Sequence, residues 1–321
     1  MKGRIVFSLV AGLIMALAGG AFAQDYPTKP ITLQIPYAAG GSTDVGGRIV
    51  AAIVEKDLRQ PMVVVNKAGA GGQVGWTELA RQKPDGYYLG YINLPHILTT
   101  VLDPERKAAF KAEDIVPIIS QALDPTTVSV RPDSPWKTLK DLIDEAKKRP
   151  GQIAAGLVGY LQDDEIGYFQ LADAAGIELR RVYFDSAAPA ITALLGKHVD
   201  VLFCTVGDNF TQWKSGRIRM LTIMDTERSK FYPDLPTTAE GGFPTVLSAS
   251  TRGVAAPKGV PQPIMKKLQE VFKKAMLTKE HMDKLEGAGQ PVKILVGDDF
   301  VKYYWESFKV AKKWVEYVRK K

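Results

Sequence analysis

Two stretches of the chain put backbone amides where chemistry can happen. In "IPYAAGGSTDVGG", residues 35–47, an extended apolar run breaks at Gly40-Gly41 and enters a helix-like segment through Ser42, Thr43 and Asp44, residue types that suit a helix N-cap. In "VVVNKAGAGGQVG", residues 63–75, a β-branched run breaks into four glycines, with a second helix-like segment behind it. Glycines after a strand turn N–H groups toward a helix N-terminus, where unpaired donors and the macrodipole favour an anion. A phosphate is the first anion to test. The dinucleotide fingerprint needs G-x-G-x-x-G and an acid about 20 residues on. Gly69 and Gly71 match, but Val74 holds the third position, and the nearest acid, Asp85, precedes the next strand. No Gly-Lys-Ser/Thr follows, which removes the Walker loop. A carboxylate fits such a loop as well as a phosphate does, and two such turns on one sheet edge make a carboxylate clamp. For either loop alone, plain turn geometry is the competing account.

Other groups are weaker. "GGSTD" is not a nucleophile elbow, because Asp44 stands where a glycine belongs and no histidine is placed to serve Ser42. His96, His198 and His281 lack metal-spaced partners, so neither catalysis nor a metal is expected. Asp163, Asp164 and Glu165 either open a helix or meet a ligand ammonium. Asp208 follows a strand and either reaches a cleft or caps the next helix. Arg252 pairs with a second ligand carboxylate or with a protein acid. Tyr37 and Tyr160 stand at strand ends, where they either cover a ligand or simply pack.

The elements that must carry these groups alternate. "ITLQIPY", "PMVVVN" and "GYYLGYI" read as strands, separated by helix-period stretches, which is the pattern of a parallel sheet covered on both faces. "DPTTVSVRPDSPWKT" interrupts the pattern and reads as a crossing between domains. A helix opened by a Thr138–Asp141 capping box follows, then a second α/β unit over "QIAAGLV", "RRVYF", "VDVLF" and "IRMLTI". "RGVAAPKGVP" reads as the return, and helices near 263–276 and 299–317 end the chain. The expected division is residues 24–125 with 254–321 as a discontinuous first domain, and 126–253 as the second. At the N-terminus, Lys2 and Arg4, an apolar run from Ile5 to Leu17 and Ala21-Phe22-Ala23 form a cleavable export signal over residues 1–23. The formal charge of +7 falls by 2 to +5 with that segment removed. The basic residues are dispersed and no nucleic-acid motif appears, so that class is excluded. The single cysteine, Cys204, forms no internal bridge.

The motifs "YPTKPITLQIPYAAGGSTD", "QPMVVVNKAGAGGQVG", "KPDGYYLGYI", "YFDSAAPAITALLGKHVDVLF", "SGRIRMLTIMDTERSKFYPDLPTTAEGGFP" and "GVAAPKGVP" occur in this order. They resemble those of the exported Bug-family receptors of tripartite tricarboxylate transporters, over essentially the whole chain after the signal. The resemblance implies an α/β, two-domain periplasmic binding protein of type II-like form that closes by a hinge on a small organic acid. Such a receptor is periplasmic and monomeric, takes no cofactor and makes transient contact with a membrane permease. It further implies ligand contacts from Tyr37, Ala38, Ala39, Gly40, Gly41, Ser42, Thr43 and Asp44, and from Gly69, Ala70, Gly71, Gly72 and Gln73. From the second domain come Gly159, Tyr160 and Asp163, and the segment at Asp185 and Ser186. The chain departs from the family at Tyr160–Glu165, where a small loop ending in histidine is usual, and at Thr251, where an aromatic is common. Those departures bear on the ligand, which is either a plain carboxylate or a zwitterion. An exported enzyme or a nucleotide- or cofactor-binding protein using the same glycine-rich cleft is the alternative.

Overall fold

The alternating runs fold into two lobes, described by a computed structural model over residues 26–320. The export signal expected at 1–23 lies outside the described residues. In the first lobe β1 (Ile31–Ile35), α1 (Ser42–Leu58), β2 (Met62–Asn66), α2 (Gln73–Ala80) and β3 (Tyr88–Leu94) follow one another, then α3 (His96–Leu102). Strand β1 lies between β2 and β3 and is parallel to both. Val50, Ile53, Val54 and Leu58 give α1 a buried stripe at helical spacing, packed on Ile31, Leu33 and Ile35 of β1. Each of those side chains contributes about 1.5–3 kcal/mol by leaving water.

Strand β4 (Ile115–Val130) then runs out of this lobe into the other. The second lobe comprises α4 (Leu139–Lys148), β5 (Ala154–Val158), α5 (Asp163–Ala175), β6 (Arg180–Phe184), α6 (Ala187–Leu195), β7 (Val201–Thr205), α7 (Val206–Lys214) and β8 (Arg219–Ile223). The capping box of α4 forms as its sequence predicts. Thr138 Oγ1 accepts from the Asp141 amide at 3.2 Å, and an Asp141 carboxylate oxygen accepts from the Thr138 amide at 2.9 Å. The chain returns through β9 (Ala249–Pro257) and ends with α8 (Gln262–Met276), α9 (Lys279–Gly287) and α10 (Asp298–Val318).

The two long strands are what join the lobes. Between Ile115 and Pro125, β4 is antiparallel to β9, which is itself antiparallel to β3. From Thr126 onward β4 pairs with β7 and β8 instead. The parallel pattern expected from the sequence holds for β1, β2 and β3, and for β5, β6 and β7, while the crossing strands make each sheet mixed. Helix α10 is shared. Phe300, Tyr304 and Ala311 pack in the first lobe, whereas Val315 and Val318 pack among Leu142, Leu157 and Phe203 of the second.

Candidate functional site

The carboxyl ends of β1, β3, β5 and β7 face one another across the junction, where open α/β sheets receive ligands. A cavity of about 30 Å³ lies there. The first lobe lines it with Tyr37, Ala38, Gly41, Ser42, Thr43, Asp44, Asn93 and His96. The second lobe contributes Val158, Asp163, Asp164, Ser186, Thr205 and Asp208, among others, and the crossing strand contributes Ser250 and Arg252. A wider chamber of about 790 Å³ shares Ser42, Ala188 and Asp208 with it and leads outward past Phe210 and Arg217.

The first glycine loop reaches this cavity, with one change to the expected capping. Gly41 occupies the N-cap position of α1 and makes no side-chain cap bond; Ser42, Thr43 and Asp44 form the first helical turn instead. The cap comes from the other lobe. The Ser42 amide donates to Asp208 Oδ1 at 2.6 Å, and Asp208 Oδ2 accepts from Thr205 Oγ1 at 3.0 Å. Asp208 is therefore both in the cleft and in the first turn of α7. Asp44 folds back to accept from the Gly40 amide and from Arg48 and Asn66, each at about 3 Å. Burial raises its carboxyl affinity for protons, but those hydrogen bonds prevail and hold it below the usual carboxylate range.

The acidic turn does both things its sequence allows. Asp163, Asp164 and Glu165 open α5, and the first two also line the cavity. Asp163 Oδ1 is hydrogen-bonded to His96 Nε2, and Tyr37 Oη lies 2.6 Å from His96 Nδ1, so a Tyr–His–Asp chain joins the lobes. Burial pushes Asp163 up, but His96, Arg252 and Thr126 outweigh it and its proton affinity is lowered. Asp164 goes the other way. Burial and the charges of Asp163 and Asp208 raise it well above the carboxylate range. Glu165 turns away to the Leu161 amide, Tyr183 and Arg181.

Arg252 is 2 % exposed and pairs with Asp124 at 2.5 Å, while Thr205 Oγ1 accepts from it at 2.9 Å and Asp208 lies 3.9 Å away. Burial favours the neutral forms of both partners. For Asp124 burial prevails and its carboxyl is raised, although Arg252 and the Gly207 amide, 3.1 and 3.2 Å from its two oxygens, oppose it, whereas for Arg252 the charges of Asp124 and Asp208 prevail and keep the guanidinium charged. Three cavity-lining side chains keep buried polar atoms with no protein partner: Ser42 Oγ, Asn93 Oδ1 and Arg252 Nε.

The second glycine loop sits elsewhere. None of Gly69, Ala70, Gly71, Gly72 and Gln73 is among the cavity-lining residues. Ala70–Gly72 coil into a short 3₁₀ turn in which the Gly72 and Val74 amides both donate to the Gly69 carbonyl. What the loop presents is carbonyls. Gly71 O accepts from Gln162 Nε2 at 2.7 Å, and Arg106 donates to Ala70 O at 3.1 Å and to Tyr160 O at 2.7 Å. Gln73 Nε2 donates to the Arg106 carbonyl. The loop is thus a clasp between the lobes. Ala39 and Gly40 are exposed beside the cavity, and Gly40 lines only the outer chamber. Gly159 is buried with its amide on Phe184 O, Tyr160 packs its ring on Tyr183, and Asp185 is exposed next to the lining Ser186.

Sequence reading did not single out Asn93, Thr205, Ser250, Asp124 or Arg106, and treated His96 only as a metal candidate. Asn93 and Thr205 had a usable signal, since each sits at the carboxyl end of a strand. His96 follows β3 by two residues. Cys204 is fully buried.

Residues 47–317 match the family described as "Tripartite tricarboxylate transporter family receptor". The chain is 32% identical over 286 residues to the protein BugT of Bordetella pertussis, covering 87% of each. A solved structure described as a periplasmic transporter superposes with a TM-score of 0.84 at 29% identity, covering 91% of this chain and 97% of that one. The periplasmic binding protein BugD superposes with a TM-score of 0.82 at 27% identity, covering 92% and 98%.

Proposed function

Because the chain belongs to the tripartite tricarboxylate transporter receptor family, we propose that it is an exported receptor that closes on a small organic carboxylate. It would then hand that acid to a membrane permease in a transient contact, working as a monomer after removal of residues 1–23. The observation that carries this reading is the placement of three partnerless buried polar atoms, Ser42 Oγ, Asn93 Oδ1 and Arg252 Nε, in one cavity on the line between the lobes. Two of them can donate. Together with the first-turn amides of Thr43 and Asp44, which have no acceptor within the helix, they form a seat for a carboxylate.

The mechanism is hinge closure. The inner cavity has room on the scale of one or two waters, so an acid enters only with the lobes parted. The partner switch of β4 between Pro125 and Thr126 and the crossing by β9 supply the hinge. We place the domain boundaries there, with α10 as a third connection. Tyr37–His96–Asp163, Ser42–Asp208, Arg106 and Gln162 are the interlobe bonds that closure forms. Ligand contacts that exist only in the closed form drive the shift.

The nucleotide alternative finds no support in the second loop, whose Gly72, Gln73 and Val74 amides bond internally. The enzyme alternative meets a second obstacle: both His96 nitrogens are engaged, by Tyr37 and Asp163, which leaves neither to activate Ser42. Thermal melting of the protein against mono- and dicarboxylates, amino acids and NAD tests the reading. An acid at 100 times its Kd adds about 2.7 kcal/mol and raises the midpoint by several degrees. A response to NAD alone, or turnover of a bound acid, overturns it.

A further inference from the structure

The cavity that the receptor reading assigns to a carboxylate is itself acidic, and its charges do not cancel. Asp44 is matched by Arg48 at 3.0 Å, and Arg252 by Asp124. Burial and the neighbouring charges of Asp163 and Asp208 push Asp164 well above the usual carboxylate range, so it adds least to the count. Asp163 and Asp208 then remain, 2 % and 13 % exposed at their side chains, with His96 as the one other titratable base among the lining residues. Even a fully protonated His96 balances only one of them. A dianion would bring two more negative charges into a poorly solvated cavity that already carries at least one, where Coulomb repulsion is strong.

The partnerless atoms divide by polarity in the same place. Arg252 Nε is a donor and the Ser42 hydroxyl can donate or accept, so the pair suits a carboxylate. Asn93 Nδ2 donates to Thr43 Oγ1 at 3.1 Å and to Ser250 Oγ at 3.3 Å, which leaves Oδ1 an acceptor with no partner that a ligand donor satisfies. We propose that the ligand is a zwitterion bearing both an ammonium and a carboxylate group, the ammonium held by Asp163, Asp208 and Asn93 Oδ1 and the carboxylate by Arg252 Nε, Ser42 Oγ and the first turn of α1. This rests on the receptor reading and narrows it to amino acids. The small inner cavity takes the charged head. The remainder of the ligand extends past Ser42 and Asp208 into the outer chamber, whose wall includes Val45, Ile191 and Phe210.

Calorimetric titration with matched pairs tests it: aspartate and succinate, glutamate and glutarate, leucine and 4-methylpentanoate. For the best pair, the amino acid binds at least tenfold tighter than its deaminated partner. In Asp163→Asn and Asp208→Asn that ratio falls toward one, even if weaker closure lowers both affinities together. Deaminated acids binding equally or more tightly would overturn the zwitterion while leaving a carboxylate receptor intact. A ratio that persists in both variants overturns the assignment of the ammonium to these aspartates. If no acid of either kind binds, the receptor reading itself fails and this one falls with it. Circular dichroism checks that the variants fold, and should neither do so, the ratio in the unaltered protein decides.

Discussion

The two glycine loops look alike in sequence and perform different work. Each follows a first-lobe strand and leads into a helix, and each carries adjacent glycines. Gly40–Asp44 meets the cavity, and its Ser42 amide takes a carboxylate from the opposite lobe. Gly69–Gln73 coils so that the Gly72 and Gln73 amides bond internally, and it offers Gly71 O to Gln162 of the opposite lobe and Ala70 O to Arg106, which bridges to Tyr160 O there. The difference shows that glycine content licenses an anion site without making one. What decides is whether the amides remain available after the loop has closed. Two arginines mark the contrast: Arg252, in the cavity that the first loop lines, pairs with a carboxylate, and Arg106 bonds neutral carbonyls at the second loop.

Removing those arginines should give the largest and most unequal effects. Arg252→Ala leaves Asp124 buried without its cation, which costs about 3–5 kcal/mol. The melting midpoint falls by on the order of 10 °C. The loss has a pH sign. Without its partner Asp124 is raised by burial, so the folded state holds a proton that the unfolded chain releases, and the deficit grows as pH rises above about 4. Arg106→Ala removes hydrogen bonds to two carbonyls, worth about 1–2 kcal/mol, and registers in ligand affinity more than in melting. Equal destabilisation by the two, measured by thermal melts from pH 4 to 8, would break the distinction between the loops.

Most of the elements were legible because they obey local rules. The capping box at Thr138, the apolar stripe of α1 and the β-branched runs of β1 and β2 are each set within a few residues. Strand β4 was harder. Ser120, Gln121, Asp124, Thr126, Thr127 and Ser129 are all fully buried in it, because the crossing strand is covered on both faces. A buried strand filled with polar side chains has no alternation to read, so its last part reads only as a crossing between domains. The site shared that fate. Ser42, Asp163 and Asp208 were recognisable at element starts, whereas Asp124–Arg252 and His96–Asp163 join residues 128 and 67 positions apart, which only the crossing topology brings together.

A substitution at Gly71 sharpens the comparison at a smaller scale. Its φ is +62°, and a Cβ there would stand 2.7 Å from Gln162 Nε2. Gly71→Ala therefore combines a left-handed alanine, at about 1 kcal/mol, with a blocked clasp. Affinity for the best acid should fall about fivefold to tenfold. In a Gln162→Ala background the second part disappears, and a double-mutant cycle returns a coupling of at least about 0.5 kcal/mol. Additive effects would mean that the second loop does not act across the junction.

The smallest effect on stability belongs to Ser42, and it separates a ligand site from a structural turn most directly. Its hydroxyl is buried and has no partner. A buried group without a hydrogen bond contributes nothing to the fold, so Ser42→Ala should leave the melting midpoint unchanged or slightly raised. Were the first loop only a turn, binding would be equally indifferent. If the hydroxyl donates to a bound carboxylate, its loss costs about 1 kcal/mol of affinity, a factor of roughly five, with no accompanying loss of stability. Parallel changes in melting and titration would assign Ser42 to packing, whereas a change in titration alone assigns it to the ligand.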